Sequence, residues 1–197
     1  MKNNTKNFSL VSYLCSDEYK RVRELQKELS VITGSHKCLE DWLPHITVGD
    51  GITVSEEILT KLESDLTEIS HTQHCVIAHI KGFGGIENWK GAVEGKITSY
   101  VIWLEVEVSS DLLQLYNNLR EKVTLNYDAW LPRTTNYTPH VTLAFADLTQ
   151  NGYEKAMQYL ASQKIELPFT ISHLALVECY GEGNMASVEY KKFYLKK

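Results

Sequence analysis

"YTPHVTLAF" occupies residues 137–145 and "WLPHITVGD" occupies residues 42–50. Both contain Pro-His-(Val/Ile)-Thr-(Leu/Val), and the two histidines, His45 and His140, stand 95 residues apart. Side chains alternate along a strand, so His45 and Thr47 share one face, as do His140 and Thr142. Ile46, Val48, Val141 and Leu143 take the other face, and all four are apolar. Each phrase therefore predicts a strand with its apolar side in a core and its His/Thr side on a wet or ligand-filled cleft. Pro44 and Pro139 sit where a strand can begin without an N–H.

Working outward, the segments around each phrase recur in the same order. Residues 8–14, "FSLVSYL", read as a strand. Ser16 or Asp17 can cap a helix with Tyr19, Val22, Leu25, Leu29 and Ile32 near a 3.6-residue period, and Gly34 ends it. After the first phrase, Ser55 caps a second helix with Ile58, Leu59, Leu62, Leu66 and Ile69 on one face. "CVIAHI" (75–80) is a strand and "KGFGGI" a turn. The second half runs in parallel: a strand over 100–108, then a helix capped by Ser109 or Ser110 with Leu112, Leu115, Tyr116, Leu119 and Val123 inward. After the second phrase come a helix over 152–163 with Ala156, Met157 and Leu160 inward, a strand over 171–180, a turn "GEGN" (181–184) and a last strand "SVEYKKFYL" (187–195).

The offset stays near 95 throughout, which marks an internal duplication of a βαβαβ-like unit. The expected organisation is a single bilobal domain over residues 1–197, with halves of about 1–95 and 96–197. Helices following strands imply sheets covered by helices. Two like halves related by a pseudo-two-fold axis would bring the two phrases face to face over one cleft.

Composition narrows the classes. The hydrophobic fraction is 43% and the charged fraction 23%, as in soluble globular proteins. No apolar run approaches a membrane span, and the N-terminal apolar stretch reads as a strand rather than a signal peptide. Cys15, Cys38, Cys75 and Cys179 are scattered, which fits free thiols in the reducing cytoplasm. A net charge of −5 argues against gripping long nucleic acid by its phosphates, while a small anionic ligand needs only a local positive site.

Two imidazoles can supply one base and one acid near neutral pH. Two hydroxyls beside them can donate to non-bridging phosphate oxygens. Together they suit in-line displacement at phosphorus without a metal or other cofactor. One H-x-T alone is more often incidental; the same phrase at equivalent places of a duplicated chain is not. Other features are read more plainly. His71, His74, Cys75 and His79 are clustered, but Cys75 and His79 lie about 13 Å apart along a strand, so no metal site is expected. "GFGG" (82–85) lacks the spacing of a dinucleotide loop and reads as a hairpin turn. Tyr13, Trp42, Trp103 and Tyr137 are candidates to stack on a base. Trp103 reads as a core aromatic, and Tyr137, just before the motif, is the better placed. The C-terminal lysines read as a solvated end.

These motifs, with "FSLVSYLCSDEYKRVRELQKEL" and "YVIWLEVEVSSDLLQLYNNLRE", resemble the two-histidine (2H) phosphoesterases, which include 2′,5′-RNA ligase-like proteins and cyclic nucleotide phosphodiesterases. The resemblance covers nearly the whole chain. It implies an α+β bilobal fold of two mainly antiparallel sheets facing a cleft, helices outside, with strands often exchanged between halves. It implies metal-independent chemistry on cyclic phosphates or 2′–5′ linkages, with His45 and His140 as the acid/base pair and Thr47 and Thr142 as phosphate ligands. Phe145 stands where ligase-like members often carry an Arg, and Arg133 or Lys90 is the candidate replacement. Arg133, Tyr137, Tyr13 and Trp42 are the candidate substrate contacts.

The expected function is hydrolysis of a small cyclic phosphodiester, a 2′,3′-cyclic nucleotide or RNA end, by a monomer with no membrane partner. A nuclease for cyclic oligonucleotide signals, a 2′–5′ RNA ligase and a non-catalytic nucleotide- or RNA-binding module remain alternatives.

Overall fold

The computed structural model describes residues 5–89, 99–127, 137–180 and 186–197. Eight strands form one antiparallel sheet in the order β6-β3-β4-β5-β2-β1-β7-β8. They are β1 (Thr5–Tyr13), β2 (His45–Ser55), β3 (Val76–Trp89), β4 (Ser99–Val106), β5 (His140–Ala144), β6 (Glu166–Ile171), β7 (His173–Tyr180) and β8 (Ala186–Tyr194). Five α-helices accompany them: α1 (Ser16–Thr33), α2 (Lys37–Asp41), α3 (Glu56–Thr72), α4 (Ser110–Leu119) and α5 (Gln150–Leu160), with a π-helical turn at Arg120–Thr124.

The duplication is visible in the strand order. From the centre outward, β2, β1 and β7 mirror β5, β4 and β3. One strand of each half therefore joins the other half's lobe: β3 lies beside β4, and β7 beside β1. β2 and β5 join the two lobes through the pair Ile46–Val141. Even the entry to each motif is repeated. Leu14 N–H donates to the Pro44 carbonyl at 2.9 Å, and Val106 N–H donates to the Pro139 carbonyl at 3.2 Å.

The core follows the apolar pattern. Ile46, Val48 and Val141 are fully buried and Leu143 nearly so, whereas His45, Thr47, His140 and Thr142 are half-buried. α1 buries Val22, Leu25 and Leu29 and stops at Gly34, whose left-handed backbone (φ 73°) lets its N–H reach the Ser30 carbonyl. α3 buries Leu59, Leu62, Leu66 and Ile69. Ile58 lies on the outer face of that helix, contrary to the face drawn from sequence. Ser109 caps α4 by accepting from Leu112 N–H, and Thr149 caps α5 by accepting from Gly152 N–H. Ser55 occupies the N-cap position of α3 without a side-chain cap bond.

The "GFGG" turn is not a turn. Residues 82–85 lie inside β3, which runs unbroken from Val76 to Trp89. Gly82 (φ 101°) absorbs a register shift against β4. Gly84 and Gly85 carry no side chain because aromatic rings cross them. A Cβ on Gly84 would lie 2.6 Å from the Trp103 indole, and one on Gly85 would lie 2.8 Å from the Tyr153 hydroxyl. The expected turn at 181–184 falls outside the described residues, as do Arg133 and Lys90. No helix among the described residues is long and apolar enough to cross a membrane.

Candidate active site

Antiparallel register around Ile46–Val141 sets His45 across from Thr142 and Thr47 across from His140. Since Ile46 and Val141 point into the core, the four flanking side chains project together onto the opposite face. The two histidines lie on a diagonal of this quartet, with backbones about 7–8 Å apart. The face that the sequence assigned to a cleft is therefore the one on which both motifs meet, at the seam between the lobes.

Each ring is held in the same way. His45 Nδ1 lies 2.7 Å from the Leu43 carbonyl, and His140 Nδ1 lies 3.0 Å from the Thr138 carbonyl. A carbonyl oxygen only accepts, so each Nδ1 carries a proton and each Nε2 is left to exchange one with a reactant. Burial holds His45 below the ordinary histidine pKa. The Leu43 bond opposes this, and the facing His140 adds to it. His45 is thus enclosed by protein on most sides yet still reachable from the cleft, and its neutral form is favoured.

The walls differ between lobes. Tyr13 stands across from His45 on β1 and meets its ring edge-on at 6.2 Å. Burial, aided by the negative charge of Glu189, pushes the Tyr13 phenol up to about 12, so it stays protonated at neutral pH. In the other lobe Glu105 stands across from His140, and Trp103 across from Thr142. The Trp103 ring lies 5.6 Å from that of His140. Trp103 is half-buried, its ring beside that of His140 and packed on an apolar cluster. Trp42 stacks on Phe145 at 5.8 Å, and the two join Cys38, Val101 and Trp103 in a small apolar cluster.

Tyr137 does not line the cleft as a stacking platform. Its ring packs on Tyr116 at 4.0 Å and against the main core, and its hydroxyl donates to the Thr47 carbonyl at 2.9 Å. It braces the first motif from behind. Two polar residues of α1 that sequence reading missed brace the second. Gln26, almost fully buried, donates to the Thr142 carbonyl at 3.1 Å. Arg23 donates to Gln26 and to the carbonyls of Leu39 and Trp42, fixing the segment that carries Trp42. Asp147 accepts from Ser35 Oγ and from the N–H groups of His36 and Lys37, which anchors the start of α2. Burial works against its charge, but these bonds win and hold the Asp147 carboxyl below its usual range. Among the described residues no three His, Cys, Asp or Glu side chains gather as metal ligands. His71 ends α3, and His79 lies on β3 across from Pro168.

A family model for the 2′-5′ RNA ligase superfamily matches residues 51–183. The chain belongs to this superfamily, the 2H phosphoesterases. The matched stretch contains the second motif and begins just past the first, so His45 and Thr47 rest on the geometry above. No curated protein matches the chain. Solved structures of similar fold span nearly its whole length. TT0787 of Thermus thermophilus has a TM-score of 0.65 at 17% identity, covering 96% of this chain and 97% of its own. E. coli LigT complexed with 3′-AMP has 0.64 at 16%, covering 98% and 100%. Kluyveromyces marxianus Usb1 with uridine monophosphate has 0.52 at 12%, covering 98% and 99%. The antiparallel sheet with peripheral helices is the fold of these 2H proteins.

Proposed function

We propose that this chain is a metal-independent phosphoesterase that hydrolyses a cyclic phosphodiester, a 2′,3′-cyclic nucleotide or RNA end, acting as a monomer on small substrates. The observation that carries the reading is the paired motif. Two imidazoles, each with Nδ1 tied to the carbonyl two residues earlier, present Nε2 on one cleft face beside two threonine hydroxyls. Nucleotides in the LigT and Usb1 structures support a nucleotide-sized ligand for a cleft of this fold.

His45 is the base, since its surroundings favour the neutral ring. Its Nε2 takes a proton from water as the water oxygen bonds to phosphorus. The opposite P–O bond of the ring breaks in line, and the leaving ribose oxygen takes the Nε2 proton of His140. Thr47 and Thr142 donate to the non-bridging oxygens as charge grows there. The product is a nucleoside monophosphate, and both histidines return to their starting states after exchange with solvent. The test is turnover of nucleoside 2′,3′-cyclic phosphates by wild type and by the His45→Ala/His140→Ala double variant. Equal turnover by the two, or none by wild type, sinks the proposal.

A further inference from the structure

Among the described residues the charged groups around the two motifs differ, and the difference bears on the substrate. Two rows of cross-strand neighbours run from the first motif across its lobe. Thr47 pairs with Val11, Val11 with Ala175, and Ala175 with Lys192. Beside this row His45 pairs with Tyr13, whose ring lies 6.0 Å from that of His173, and His173 pairs with Tyr194. Directly paired residues share a face, so Lys192 stands on the same face as His45 and Thr47. Its stem leans toward the neighbouring row, and Nζ sits 5.4 Å from the centre of the Tyr13 ring. A chain of contacts thus leads from His45 over Tyr13 to an ammonium. Val11, Ala175 and Val177 form a small buried apolar cluster against which Tyr13 packs.

Lys192 is not fully committed elsewhere. Its carboxylate partner, Glu189, is 2.9 Å away, and both side chains are about one-third exposed (34% and 40%). Pairs this open contribute about 0–1 kcal/mol, so a phosphate oxyanion can displace the carboxylate. Among the described residues, charged or titratable groups near Lys192 include Lys191, which is held by Glu63, and His173, whose neutral form is favoured by burial. The opposite lobe offers the reverse charge: Glu105 stands exposed beside His140. A second anionic group on the substrate is attracted on the β1–β7–β8 side and repelled on the β4 side.

We infer that Lys192 and Tyr13 form a subsite for a second phosphate ester of the substrate, one nucleoside away from the cyclic phosphate, with the intervening ring system lying on Tyr13. The inference rests on the phosphoesterase reading and narrows it. The preferred substrate carries two phosphates, as in the 3′ end of an oligonucleotide or a nucleotide with a 5′-phosphate.

Three compounds of one base separate the cases: a nucleoside 2′,3′-cyclic phosphate, its 5′-phosphorylated form, and a dinucleotide ending in the cyclic phosphate. Wild type should favour at least one of the phosphorylated pair in kcat/KM, by about tenfold for one charge-assisted contact. The member with the larger advantage identifies the source of the second phosphate. Lys192→Gln should collapse the ratio towards one, mainly through KM, and Glu189→Gln should raise it. Rising salt should lower the ratio in wild type. Turnover of the bare cyclic phosphate with no advantage for either larger compound overturns the subsite alone. A ratio unchanged by Lys192→Gln does the same. No turnover of any of the three overturns the phosphoesterase reading as well.

Discussion

His45 and His140 are oriented by one and the same bond. In each, Nδ1 donates to the carbonyl oxygen two residues earlier, Leu43 at 2.7 Å and Thr138 at 3.0 Å. The proline between carbonyl and histidine in both motifs, Pro44 and Pro139, has a restricted backbone. The geometry that fixes the tautomer is thus built from the motif itself.

If both Nε2 atoms carry protons in one displacement, neither ring is dispensable. His45→Ala and His140→Ala should each lower kcat by about 10²–10⁴-fold, and the double variant should be little worse than the poorer single one. Steady-state kinetics on a cyclic phosphate checks this, and a near-normal rate in either single variant rejects the pairing.

The pH profile has a worked-out sign. A base must be neutral to act, and the surroundings of His45 lower its pKa. The acid limb of log kcat/KM should therefore fall below the ordinary histidine value of about 6.5. His45→Ala should lose that limb. An acid limb well above pH 6.5 would contradict the assignment of His45 as base.

Tyr137→Phe keeps the stack on Tyr116 but removes the donor to the Thr47 carbonyl. Unfolding in denaturant should show a loss of about 0.5–1.5 kcal/mol. Turnover should fall less than in the histidine variants. If Tyr137 were instead a stacking contact for substrate, KM would rise with stability unchanged.

Gly84→Ala should be costly although the added group is one methyl. The Trp103 indole lies across the position of the new Cβ, and overpacking of this kind costs about 1–3 kcal/mol. Trp103 must shift, and it lies against His140, so activity should drop along with stability. Tryptophan fluorescence and thermal unfolding report the two effects separately.

Mild acid should weaken the fold through His173. The side chain is nearly fully buried, and burial, with Lys192 nearby, lowers its pKa. The unfolded chain takes up a proton below about pH 6.5 that the native ring resists, so stability is complete above that pH and declines below it. The decline is at most about 1.4 kcal/mol per pH unit for each such histidine. Between pH 7.5 and 5.5, His173→Gln should lose less stability than wild type. Asp147 does not interfere, because its lowered carboxyl pKa confines its contribution to more acid conditions.

Much of this was legible in the chain. The alternation in "PHITV" and "PHVTL" identified which side faced the core, because strand period and burial are local consequences of side-chain chemistry. The strand exchange was expected only from family resemblance, since nothing local in β3 or β7 says which lobe it joins. The glycines at 82–85 were misread as a turn because glycine marks both a bend and a close approach. Only the placement of Trp103 and Tyr153 tells them apart. Tyr137 failed as a cleft residue for a similar reason: its partners, Tyr116 and the Thr47 carbonyl, are remote in sequence. Gln26, Arg23 and Lys192 look like ordinary solvated positions until the register places them against Thr142, Trp42 and Tyr13. Pro168 argues against a strand at β6, and the five residues of α2 are too few to show a helical period.

The crossing of β3 and β7 between lobes also orders events in time. Asn7 pairs with Cys179, and β7 then pairs with β8 as far as Tyr194. During synthesis from the N-terminus, the lobe holding the first histidine motif must wait for β7 and β8 to emerge, while β3, β4, β5 and β6 can already assemble. Loop closure over so long a separation is slow. Nascent chains halted before β7 should therefore expose β1 as an unpaired edge and depend on holding factors, and the site should become competent only once β7 and β8 have emerged.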